Sequence, residues 1–290
     1  MCDELTAADN ERYLTDAAVS RRGFAAVTAA AGLVAMLPRP ADAKPVSGKD
    51  VTIATPEGSC DAYFVAPASG KAPAVIVWPD IMGLRPAFRQ MADRLAQSGY
   101  AVLTVNQFYR STRAPFLAAG ESFDQPEVRA RIMPWRETLT QSATTADAGA
   151  FVAWLDAQEQ VDAGRGMGST GYCMGGPMTM LTAAAHPARV KAGASFHGGG
   201  LATEKPDSPH LHVPQMKAAF LFAVAENDDQ RNPTEKDKLR TAYDAAKLHA
   251  EIEVYPGTMH GWCPPDSRVY NAAQAERAWV RLLELFKTAL

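Results

Sequence analysis

The run Gly171-Tyr172-Cys173-Met174-Gly175-Gly176 has the spacing of the G-x-S-x-G turn, with cysteine in the place of serine. In such a turn a strand passes straight into a helix. The central residue sits in a strained backbone conformation, and small flanking residues let the chain fold back on itself. The side chain is thereby held up into a pocket, and the free amides and positive dipole end of a helix beginning at Met174 favour thiolate at Cys173. A thiolate so placed can attack a carbonyl carbon if an imidazole relays protons and a carboxylate holds that imidazole. The chain offers His260, after Pro256, Gly257, Thr258 and Met259, and the adjacent pair Asp228 and Asp229. The competing reading of Cys173 is a buried structural cysteine in a glycine-rich turn.

These residues need a scaffold that brings them to one edge. Positions 51–54 and 63–66 are short β-type runs separated by Pro56, Glu57, Gly58 and Ser59, which predicts an antiparallel hairpin. Continuous apolar or short β-type runs at 74–78, 100–105, 168–172, 192–196, 218–225 and 251–255 alternate with helical patterns at 87–97, 137–156, 174–186, 233–248 and 269–289. Strands alternating with helices predict an α/β fold, a mostly parallel sheet with helices on both faces and the hairpin at one edge. Positions 106–134, rich in arginine, aromatics and proline, predict a long loop with short helical pieces. Asp228 and His260 each follow a predicted strand, as the nucleophile–acid–base order of such a fold requires.

Taken together, WPDIMGL at 78–84, GYCMGG at 171–176, AENDD at 225–229 and YPGTMHGW at 255–262 resemble the dienelactone hydrolases, over nearly all the chain from about Val51 onward. The resemblance implies an α/β-hydrolase fold and hydrolysis of a small ester or (enol-)lactone, as in carboxymethylenebutenolidases. It also implies a triad of Cys173, Asp228 and His260, an oxyanion hole from the backbone N–H groups of Ile81 and Met174, and no metal or organic cofactor. The spacing from Ala225 in that family favours Asp228 over Asp229 as the acid. Asp80 stands where the resembling enzymes carry a glutamate that interacts with the resting thiol, although plain capping of the loop is the alternative. The family binds its substrate carboxylate with two arginines. Arg110 or Arg113 can supply the first, with Arg110 preferred, but Pro264 occupies the second position, which puts dienelactone itself in doubt. Arg85, Arg110, Arg113, Arg131 and Arg136, with Tyr109 and Trp135, can still form a cationic and aromatic pocket for an acidic ester, although most of these arginines are expected at the surface. Trp262 and Cys263 follow His260 closely and can line the site, with ordinary packing of the loop as the alternative, while His197, after the strand at 192–196, can border the pocket, with a supporting or packing role preferred. His210 and His212 form an H-x-H pair with no further ligand cluster nearby in sequence.

With 290 residues, 47% of them hydrophobic, and a formal charge of −3, the chain can bury one substantial core and shows no bias toward nucleic acid. Ser20-Arg21-Arg22-Gly23-Phe24, an Ala-rich apolar run at 25–37 and the small residues Ala41-Asp42-Ala43 resemble a twin-arginine export signal cleaved after Ala43. That predicts an export segment at 1–43, a single domain at 44–290, engagement of the twin-arginine translocase and a periplasmic destination. The apolar run is shorter than the roughly 20 residues of a membrane span. The alternatives for this segment are an unstructured arm or an amphipathic helix packed on the domain. Of the cysteines Cys2, Cys60, Cys173 and Cys263, removal of the signal leaves an odd number, which suggests no disulfide framework and leaves Cys60 and Cys263 as thiols or a pair. Two rival function classes stand beside the hydrolase: a binding protein that keeps the fold without turnover, and a thiol redox protein, which the lack of a C-x-x-C disfavours.

Overall fold

A computed structural model describes residues 4–19 and 37–290. Its centre is set by strand β3 (Ala74–Trp78), apolar and buried at every position, a pattern that is stable only where helices cover both sheet faces. Around it lie β1 (Val46–Thr55), β2 (Gly58–Pro67), β4 (Ala101–Val105), β5 (Met167–Tyr172), β6 (Val190–Phe196), β7 (Ala219–Ala225) and β8 (Ala250–Tyr255), in the order β1-β2-β4-β3-β5-β6-β7-β8. The β1–β2 and β2–β4 pairings are antiparallel and the remaining pairings are parallel. The predicted hairpin is therefore at the edge, with longer strands than the sequence suggests, because Gly58 turns the chain at a positive φ of 144° and pairing runs from Thr55↔Gly58 to Val46↔Pro67.

The helices are α1 (Glu4–Val19), α2 (Pro86–Gln97), α3 (Pro126–Glu137), α4 (Gln141–Asp156), α5 (Gly175–Ala185), α6 (Glu226–Arg231), α7 (Glu235–Ala246) and α8 (Ala272–Ala289). On one face, Phe88, Met91 and Leu95 of α2 join Leu282 and Phe286 of α8 over Val75, Val77 and Val102. On the other, Phe151 and Leu155 of α4 pack against Ile76, Trp78 and Leu103. This is the α/β-hydrolase arrangement.

Two segments differ from expectation. Positions 126–137 form a regular helix in which Pro134 is tolerated, and the helix expected from 137 begins only at Gln141, where the Thr140 side chain caps it by accepting from Ala143 N. Asp228 lies on the short helix α6, not in an open loop. Residues 20–36, which hold the arginine pair and most of the apolar run, are outside the described residues. No helix among the described residues is long and apolar enough to cross a membrane.

Candidate active site

Chain geometry explains the shape of the turn after β5. A Cβ on Gly171 would lie 1.9 Å from the carbonyl oxygen of Gly175, and one on Gly175 would lie 2.2 Å from that of Trp78. Only glycine permits those approaches. Between them Cys173 adopts φ 55°, the left-handed region that non-glycine residues rarely enter, and its N–H donates to Phe196 O at 3.0 Å. The residue is 2% exposed and lines a cavity of about 420 Å³ together with His260, Asp80 and Ile81. In this structure the sulfur of Cys173 is disulfide-bonded, whereas Cys60 and Cys263 are free, buried thiols. Burial raises the pKa of both free thiols.

His260 is fixed from several sides. Its backbone N–H donates to Asn227 Oδ1 at 2.8 Å, and its Nδ1 is 2.7 Å from Asp228 Oδ2. A proton on Nδ1 satisfies that contact and leaves Nε2 as the nitrogen turned away from the carboxylate. The loops carrying the acid and the imidazole are tied together: Gly257 N donates to Glu226 Oε2 and Glu226 N to Thr258 Oγ1. Asp229 points elsewhere and pairs with Lys236. Of the two neighbouring carboxylates, Asp228 alone meets the imidazole.

Asp80 is buried, and its carboxylate accepts from Arg85 through NH1 at 2.7 Å and NH2 at 3.0 Å and from the backbone of Met82 at 2.9 Å. Arg85 in turn donates to Asp266 at 2.6 and 2.9 Å. Burial alone would lower the Arg85 pKa, but Asp80 and Asp266 outweigh it and the pKa is raised. The carboxylate of Asp80 thus accepts from the loop after β3 and from Arg85, while the residue lines the same cavity as Cys173. Sequence reasoning named Arg85 only as one of several basic residues and missed Asp266, whose partner lies 181 positions away.

Arg110 is not among the cavity-lining residues; it is held by Glu57 and by Asp147 at 2.7 and 2.9 Å, over the ring of Tyr109. Arg113 lies in a separate groove beside Asp50 and Asp61. Trp262 is fully buried behind the site, stacked on Tyr255 at 4.9 Å. The side chain of Met174 packs against the cluster of Ile81, Phe108 and Phe123, while its backbone opens helix α5. His197 lines the cavity, and so do Thr6, Ala7 and Asn10 of α1, with Asn10 Nδ2 donating to the carbonyl of His260 at 3.3 Å.

Residues 60–290 match the model of the dienelactone hydrolase family. The chain belongs to the dienelactone hydrolase family. Its relatives include an Escherichia coli K12 protein named "Putative carboxymethylenebutenolidase", 29% identical over 231 residues that cover 78% of this chain and 81% of that one. They also include the carboxymethylenebutenolidase of Rhodococcus opacus, 26% identical over 77% of this chain and 83% of that protein. A solved structure titled "Putative Dienelactone Hydrolase", from Klebsiella pneumoniae, superposes with a TM-score of 0.72 at 25% identity, covering 84% of this chain and 99% of its own.

Proposed function

We propose that this dienelactone hydrolase-family protein cleaves a small carboxylic ester or (enol-)lactone through Cys173, His260 and Asp228. The observation that carries the reading is the 2.7 Å contact between Asp228 and Nδ1 of an imidazole that shares one cavity with the left-handed Cys173 turn. In the reduced protein His260 Nε2 takes the thiol proton and the sulfur attacks the acyl carbon. Charge develops on the carbonyl oxygen, which the backbone N–H groups of Ile81 and Met174 are suited to stabilise. The alkoxide leaves with the proton from His260, and water then releases the acid from the thioester. Asp228 holds the imidazole tautomer and stabilises the imidazolium.

The cavity lining carries Asp80, Glu121, Asp124 and Asp266 against Arg85 and Arg268. Both arginines are engaged by carboxylates, Arg85 by Asp80 and Asp266, Arg268 by Asp124 and Glu11. That balance supports an uncharged acyl group in place of the acidic ester suggested by the arginine-rich sequence. The test is hydrolysis of p-nitrophenyl acetate and simple lactones by reduced protein. Cys173→Ala and His260→Ala are expected to lose activity by about 10³-fold or more with folding intact; turnover preserved in Cys173→Ala overturns the reading. The same proposal includes export by the twin-arginine translocase and cleavage after Ala43, supported by the residue order at 20–43. A periplasmic fraction containing only full-length chain would contradict it.

A further inference from the structure

His197 follows β6 and is completely buried. Its φ is 40°, and among the described residues the other non-glycine positions with positive φ are Cys173 and Lys247. Lys247 is the left-handed cap that ends α7, a common role for that conformation. The two strained residues left over, Cys173 and His197, both line the same cavity. Such strain persists where surrounding structure imposes it, often at functional sites.

The surroundings of the ring make the position more unusual. It lies edge-on to His260 at 5.2 Å between centroids, with Tyr172 at 6.1 Å and Trp262 at 6.4 Å. Its backbone N–H is satisfied by Ala223 O at 2.8 Å. Neither ring nitrogen has a hydrogen-bond partner among the described residues. A residue needed only to fill this space would be apolar, because an unpaired buried polar atom is penalised. Burial, followed by the neighbouring His260, holds the ring pKa well below its ordinary value. The imidazole is therefore neutral, with one donor and one acceptor nitrogen.

We infer that His197 is a positioning residue for the second half of the reaction, holding the water that His260 activates against the Cys173 thioester. The inference rests on the proposed nucleophile. In this step His260 Nε2 takes one proton from the water as its oxygen bonds to the acyl carbon. The carbon–sulfur bond then breaks, its electron pair stays on sulfur, and the acid departs with the water's oxygen. A neutral neighbour that accepts from or donates to that water fixes its oxygen without competing for the proton, whereas a charged one would repel the imidazolium.

Acylation requires no water, so the two half-reactions separate the roles. With reduced protein and p-nitrophenyl acetate, the pre-steady-state release of nitrophenolate reads acylation, and decay of the acetyl adduct on Cys173 by intact-mass spectrometry reads deacylation. His197→Phe is expected to slow deacylation by about 10–100-fold, the scale of lost positioning, with acylation within about twofold. His197→Gln, which retains a donor and an acceptor, is expected to recover most of the loss. His197→Gly, which suits left-handed backbone and removes both ring nitrogens, replaces the phenylalanine variant if that one does not fold. Hydroxylamine, which cleaves the thioester directly, should restore turnover in His197→Phe. Both half-reactions slowing together, or neither changing, overturns the inference. Hydrolysis by wild type with no acetyl adduct, persisting in Cys173→Ala, marks failure of the nucleophile assignment and removes this inference with it.

Discussion

Asp228 and Asp229 are adjacent in the chain yet face different partners, one an imidazole and the other Lys236. Asp228→Asn is expected to lower kcat by about 10²–10⁴-fold, because an amide no longer stabilises the imidazolium or its tautomer. Asp229→Asn removes only a partly exposed ion pair, worth less than about 1 kcal/mol, and should leave ester turnover nearly unchanged; equal losses in both variants would reject the assignment. His197 has a separate signature in stability. Its folded-state pKa is depressed by burial and by His260, so the unfolded chain takes up a proton near its ordinary pKa of about 6.5 while the folded protein does not. The stabilisation is complete above that pH and is lost below it, by up to about 1.4 kcal/mol per pH unit. His260 and Tyr172 are the titratable groups whose rings face it. Urea unfolding between about pH 7 and pH 5 should therefore be steeper in pH for wild type than for His197→Gln, and parallel curves would argue against a neutral buried ring.

At the scale of elements, the apolar runs and the glycine-rich turn determine most of what can be read directly. AVIVW is buried throughout, and the strands preceding Asp228 and His260 end where their loops must begin. The close approach of Gly175 to the Trp78 carbonyl joins the Cys173 turn to the strand end that carries Asp80 and Ile81. Gly175→Ala should cost about 1–3 kcal/mol through overpacking and reduce ester turnover in the fraction that stays folded, read by thermal melting beside kcat. Less legible was the region 106–140, where proline and polar composition concealed the helix Pro126–Glu137. The Arg85–Asp266 pair could not be read from the chain either, because proximity across 181 positions leaves no local pattern. Arg110 misled because its local sequence does not reveal that Glu57 and Asp147 receive its guanidinium. Local periodicity reports burial; partner choice among charges is decided by the assembled fold.

On the scale of the whole molecule, α1 lies across one side of the cavity. Thr6, Ala7 and Asn10 form part of its wall. Arg231 holds Thr6 and Asp9, and Arg268 holds Glu11. The chain left by cleavage after Ala43 should keep its fold, since the sheet and its covering helices lie within the remaining residues. It should also accept larger aryl esters than the full chain does. With the full chain, the disulfide at Cys173 predicts low activity until a thiol reductant is added, because a sulfur in a disulfide is not a thiolate nucleophile. Comparing kcat/KM for acetyl and benzoyl esters, with and without reductant, tests both expectations; identical values for the full and shortened chains would show that α1 does not restrict entry.

The hydrogen bond from Asn10 to the main-chain oxygen of His260 has a practical corollary. In uncleaved chain, an affinity tag, fluorophore or resin attached ahead of α1 would pull on a helix bonded directly to His260, and would be felt in assays as altered turnover. Labels fused after Leu290, beyond the end of α8, keep that mechanical load away from the cavity and are the neutral choice for immobilisation.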